Sequence, residues 1–244
     1  MNTEPTPESA SPSALPKQVS NFAIEPMEGP TTLANIMENL LKHPGRLLHA
    51  CQSGNSAVAL RLLIIMIVSL SVFGLLLGSF SGGTQLWAAP LKITVGMIVA
   101  VMICLPSLYI FSALDGLNAR LHQIVSVLLS MVALSGLLML GFAPVIWVFS
   151  TSTDSIGFMG FLALIFWVIG MYFGTRLLLN AACSLGLQSK SYLKLWIILF
   201  TVVTLQMSTS LRPLIGTADE LLPTEKRFFV QHWIYFLDSN NPPR

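Results

Sequence analysis

The side chains best suited to proton chemistry near neutral pH are four histidines, His43, His49, His122 and His232. None stands in an HExxH pattern with a glutamate, and their spacing does not match a metal site. Gly54-Asn55-Ser56 carries half of a nucleophile elbow, but the second glycine is missing and no triad partner is evident. No phosphate-cradling GxxxxGK(S/T) loop occurs. The cysteines Cys51, Cys104 and Cys183 form no CxxC and no disulfide framework. Cys104 reads as a small apolar filler. Cys51 is juxtamembrane, the place palmitoylation uses in eukaryotes. These residues predict no catalytic, metal or cofactor site, and no enzyme. An enzyme would need polar side chains gathered around His122 or Asp115 in the folded chain.

The elements that hold these residues are long apolar runs. Residues 62–80, 93–114, 124–149, 157–175 and 195–211 contain no charged side chain. A bilayer core of about 30 Å takes roughly 20 helical residues at about 1.5 Å each. In hydrocarbon the backbone must satisfy its own hydrogen bonds, so each run is predicted to be a helix. Only 10% of the chain is charged, against about 25% in a soluble domain. The formal net charge of +2 gives no argument for nucleic acid. The predicted fold is an all-α, polytopic transmembrane bundle of five spans, with interfacial amphipathic helices at both ends.

Inside the spans the polar groups are modest. They are serines and threonines, which usually bond a helix carbonyl or a neighbouring helix, and Gln206, which either ties two helices together or lines a path. No Asp, Glu, His, Lys or Arg lies within any of the five runs, which counts against a proton-driven pump. Arg61, Lys92, Arg176 and Arg212 flank the runs, where long side chains snorkel to the interface as anchors. Gly74 with Gly78, and Gly170 with Gly174, form GxxxG pairs that let helix backbones approach, within the bundle or against a partner. Pro106 and Pro144 are expected to kink the second and third spans.

Residues 1–30 hold six prolines and read as a disordered polar tail. They lack the basic start and apolar core of a signal peptide, so the first span is expected to direct insertion. Residues 31–53 form an amphipathic interfacial segment. Leu33, Ile36, Met37, Leu40 and Leu41 share one helical face, Thr31 or Thr32 caps its start, and Pro44-Gly45 ends it. The transmembrane domain occupies 54–216. The tail 217–244 is rich in aromatics, among them the interface anchor Trp233, and reads as a surface helix or a protein-binding motif.

Short connections between runs predict antiparallel neighbours. With five spans, Lys42, Arg46, Arg61, Arg120, Arg176, Lys190 and Lys194 fall on one side, against Lys92 on the other. The positive-inside rule then places the N-terminus in the cytoplasm. The compact loops suit a bacterial inner membrane, and would also suit an endoplasmic-reticulum or Golgi protein.

A short helix ending in the stretch KHPGRLL, a Gly-rich end to the first span and five close-set spans resemble the Yip1-type membrane proteins over residues 38–216. The aromatic C-terminal tail departs from that family's usual short ending. The resemblance implies a non-enzymatic membrane adaptor and transfers no functional residue. The sequence therefore predicts a scaffold, adaptor or accessory subunit of a membrane complex. It would contact the lipid bilayer and either a protein partner or further copies of itself. The alternative is a passive channel or transporter subunit.

Overall fold

A computed structural model describes residues 26–27, 29–52, 56–81, 83, 85–153 and 155–210. The expected C-terminal tail with Trp233, the flanking Arg212, the Gly54-Asn55 pair and all but a few residues of the expected N-terminal tail lie outside the described residues. The described chain is helical throughout: α1 (Leu33–Lys42), α2 (Pro44–Gln52), α3 (Ser56–Ser81), α4 (Gln85–Leu114), α5 (Leu121–Gly141), α6 (Ala143–Ser152), α7 (Ile156–Ser184) and α8 (Ser191–Ser210).

Within α3, α4, α5 and α7 lie four stretches long and apolar enough to cross a membrane. α8 is apolar over the shorter stretch Ser191–Met207. Their outward faces carry apolar side chains, such as Leu60, Ile64, Val68 and Val72 along α3 and Met102, Ile103 and Ile110 on α4. A surface of this kind suits contact with lipid and would be an aggregation liability in water.

α5 is the centre of the bundle. Its sequence is apolar on every side, and a helix of that kind belongs in an interior. Small residues Ser126, Ser130, Ala133, Ser135 and Gly136 are buried along it, and they let its neighbours lie close. α3 runs parallel to α5, with Gly136 facing Ser69 and Leu70. α7 runs antiparallel to it, and α4 lies antiparallel to α3, with α8 packed on the far side of α4.

Two stretches differ from the pattern expected of the sequence. The apolar run 124–149 is two helices, α5 and α6, because Pro144 has no N–H to continue the ladder. Phe142 closes α5, its N–H bonded to Leu138 and Met139 carbonyls, and its own carbonyl starts α6. The phenyl ring of Phe142 stacks on Phe166 of α7 at 4.4 Å between centroids. Pro144 thus opens a new helix instead of bending one. Likewise Pro44 follows the end of α1 and begins α2, a helix that periodicity did not announce. Proline at a first helical position costs nothing, since its missing N–H would be unbonded there.

α1 and α2 form a docked pair. Thr32 caps α1 by accepting from the Asn35 N–H at 3.3 Å. Ile36 and Leu40 are fully buried, while Leu33 and Leu41 of the same apolar face remain exposed. α2 buries Leu47, Leu48 and Cys51 among α3, α5 and α7.

α7 approaches α5 closely at two glycines. A Cβ placed on Gly174 would sit 2.8 Å from the Met131 carbonyl oxygen, and one on Gly170 2.9 Å from that of Ser135. Gly174→Leu is therefore expected to lower stability in detergent by about 1–3 kcal/mol, the usual cost of overpacking. Gly141→Ala, where nothing lies within 4 Å, serves as the control. Equal unfolding midpoints for the two variants would show that the close approach does not hold the bundle.

Candidate functional site

The most organised polar region is the end of the bundle where α4 stops, α5 and α8 start, α7 finishes and the α1–α2 pair docks. α4 ends in the turn Asp115-Gly116, and Gly116 has a φ of +83°, which glycine accepts without strain. The turn aims the Asp115 carboxylate at the start of α8. Its two oxygens accept from the backbone N–H groups of Tyr192 at 3.2 Å and Leu193 at 2.7 Å. These amides belong to the first turn of α8, which has no acceptors of its own for them, and a negative charge there also suits the helix dipole. The Asp115 carbonyl accepts from the N–H groups of Gln188 and Ser189, both at 3.2 Å. One residue thereby clamps the α7–α8 connection and caps α8, and its side chain is only 1% exposed.

A second lock lies one to two turns deeper. The indole N–H of Trp196 on α8 donates to the Cys104 carbonyl and to Ser107 Oγ, each at 3.1 Å, on either side of Pro106 in α4. Ser107 Oγ also donates to the Cys104 carbonyl at 2.8 Å. The carbonyl that Pro106 leaves without a ladder donor is that of Met102; the Cys104 carbonyl met by Trp196 and Ser107 is a different one. Trp196 is fully buried and stacks on Phe200.

Other internal polar groups are engaged in the same way. Ser135 Oγ lies within donating distance of the Met131 carbonyl of its own helix (3.0 Å) and of the Gly170 carbonyl on α7 (2.9 Å). Ser71 and Thr94 share a hydrogen bond between α3 and α4. Thr204 donates back to Phe200 on α8. A small cavity, lined mostly by apolar side chains, lies between Leu108, Ser112, Ile124, Leu178 and Leu193.

Gly74 lies against Pro90 of α4, where a Cβ would come within 2.6 Å of the proline Cα. Gly78 is buried on the same helix. Gly170 and Gly174 face α5. Both glycine pairs thus lie on helices packed within the bundle. Pro106 is exposed inside a continuous α4 and Pro144 is exposed at the start of α6. Gln206 is half-buried on α8. Arg61 donates from Nη1 to Thr31 Oγ1 at 2.7 Å, tying α3 to the lead-in of α1. Arg176 is exposed on α7. Lys92 is 5% exposed within the protein, because α4 begins at Gln85 and not after the lysine, which places it a full two turns inside a helix. His122 is exposed at the start of α5, and Asp115 faces backbone amides. Among the described residues no group of three or more His, Cys, Asp or Glu side chains could hold a metal ion.

Composition and spacing did not point to Trp196 or to the capping role of Asp115. An Asp-Gly pair after an apolar run signals a turn, but the amides that the carboxylate meets are 77 residues away. Cys51 was legible only as a position. It is 2% exposed, its sulfur 3.9 Å from Ser130 Oγ, and burial pushes its thiol up from an ordinary 9.0 to about 11.

The fold is that of an all-helical protein with four candidate membrane spans, compatible with a multi-pass integral membrane protein. No family model, curated protein or solved structure matches the chain.

Two measurements check this geometry. Asp115→Ala should cost about 1–3 kcal/mol by leaving two amides unbonded. Hydrogen exchange should then quicken at Tyr192 and Leu193 while α7 is unchanged; unaltered protection would refute the cap. Maleimide should label Cys51 more slowly than the half-buried Cys183 near pH 8. Because the folded thiol is held above its ordinary value, its contribution to stability is whole below about pH 9 and lost as pH rises through about 11. Equal labelling rates at the two cysteines would contradict the burial of Cys51.

Proposed function

We propose that this protein is a small, non-enzymatic integral membrane protein that acts as a scaffold, adaptor or accessory subunit of a larger membrane complex. The observation that carries the reading is the use made of polar atoms within the helices. Ser135, Ser71, Thr94 and Trp196 join helix to helix, Ser107 accepts from Trp196 and donates within α4, and Asp115 caps α8. Groups engaged in this way favour a rigid body whose contacts are made at its surfaces.

In this reading α8 is the fifth span. Its 20 residues reach about 30 Å, the thickness of a bilayer core. The basic residues Lys42, Arg46, Arg61, Arg120, Arg176, Lys190 and Lys194 belong to the end of the bundle that carries α1 and α2, which supports a cytoplasmic N-terminus and fits a bacterial inner membrane. The likeness to Yip1-type proteins adds support for an adaptor. The partner is another membrane protein or a second copy of this chain, reached through lipid-facing surfaces or the chain's ends.

A passive channel or transporter subunit is the second reading. It is favoured by the interruption of the α5–α6 element at Phe142, since discontinuous helices often mark transport sites.

Crosslinking in native membranes, affinity purification and mass spectrometry test the first reading. A stoichiometric partner of different sequence is the expected result. Recovery of the chain alone would count against an adaptor. Solute flux in liposomes that vanishes in Gln206→Leu would then establish the channel.

A further inference from the structure

Among the described residues the carboxylates are Glu38 and Asp115, and both lie at the end of the bundle that holds nearly all the cations. Each is already engaged. Glu38 pairs with Lys42 at 3.0 Å, and Asp115 is turned inward onto the α8 amides. The same clamp has a consequence for the surface. By accepting from Gln188 and Ser189, Asp115 joins the α4–α5 and α7–α8 connections, so Arg120 stands on one and Lys190 on the other. Lys194 follows one turn into α8, its N–H bonded to the Lys190 carbonyl. All three side chains are exposed. Tyr192, between the two lysines, is 45% exposed and stacks loosely on Phe111. An exposed tyrosine beside cations at a helix end is the composition of the headgroup level of a bilayer.

We propose that Arg120, Lys190 and Lys194 form a rim that binds the headgroups of anionic phospholipids in the leaflet on this side. The rim presents cations to the surface while the carboxylate of its loops is turned inward onto the α8 amides. Each exposed cation near an anionic leaflet is worth about a fivefold preference, and two on joined loops with a third in the first turn of α8 act on the same lipids. The inference rests on the bilayer placement and stands whether or not the chain is an adaptor.

The test uses the full chain purified in dodecyl maltoside with equimolar phosphatidylglycerol and phosphatidylcholine, with retained lipids counted by native mass spectrometry. The wild type should retain phosphatidylglycerol preferentially, and less so as sodium chloride is raised. Arg120→Gln, Lys190→Gln and Lys194→Gln combined should reduce that preference at least about fivefold. The charge-conserving combination Arg120→Lys, Lys190→Arg and Lys194→Arg should keep it. Lys42→Gln, whose charge is already paired, should change it little. Circular dichroism checks that the variants keep their helices. A wild type without preference, or a neutralised rim with the wild-type lipid ratio, would overturn the proposal. So would an unchanged lipid ratio with loss of a co-purifying acidic protein, which would assign the rim to a protein instead.

Discussion

Where α7 crosses α5, the carbonyl oxygens of Met131 and Ser135 occupy the space that side chains at 174 and 170 would need. Lipid tails are as apolar as leucine, so helices in a bilayer gain little from burying apolar surface against one another. What remains is dispersion, which needs close approach, and hydrogen bonds between helices. The glycines supply the first, and Ser135, bonded to the Gly170 carbonyl at 2.9 Å, supplies the second at the same crossing. With α7 seated on one side and α3 on the other, α5 is enclosed, and the rest of the bundle is laid around that layer.

The other end of this logic is the position of the charges. Asp115 is the one carboxylate within the helical body that is fully withdrawn from the surface among the described residues. A buried carboxylate is costly unless its oxygens are bonded, and here α8 meets the cost with amides that would otherwise lack partners. The arrangement is reciprocal: the helix start needs an acceptor, and the carboxylate needs donors. It also fixes the α7–α8 connection against the end of α4, so the direction of α8 is set before its apolar side chains are considered.

Much of this was legible in the sequence. Apolar runs marked the long helices, GxxxG pairs marked close approaches, and the Thr31-Thr32 pair marked the start of α1, where Thr32 is the cap. What was not legible came from two sources. Proline is ambiguous from spacing alone: Pro106 lies inside an unbroken α4, where Trp196 and Ser107 donate to a neighbouring carbonyl, whereas Pro144 ends α5 and Pro44 begins α2. The proline spacing itself is the same in kind at all three positions. Charge was ambiguous in the same way. Lys92 lies in the right place for an interface anchor by its distance from an apolar run, yet α4 extends past it toward Gln85, and the side chain is buried. Asp115 looked like a loop residue, and its role is set by chain that follows α7.

α8 differs from the other helices in how it is held. It packs chiefly on α4, with slight contact to α7, and it owes its place to the Asp115 cap, the Trp196 lock and buried Leu193 and Phe200. Helices with fewer packed neighbours open at lower free energy than the core they rest on. By this packing α8 is the helix least tied to the layer of α3, α5 and α7. Such a hierarchy gives the protein a stable centre and one helix whose attachment is decided by a few named bonds near the charged end. A change at Asp115 acts on that attachment directly, because the carboxylate holds the first-turn amides of α8.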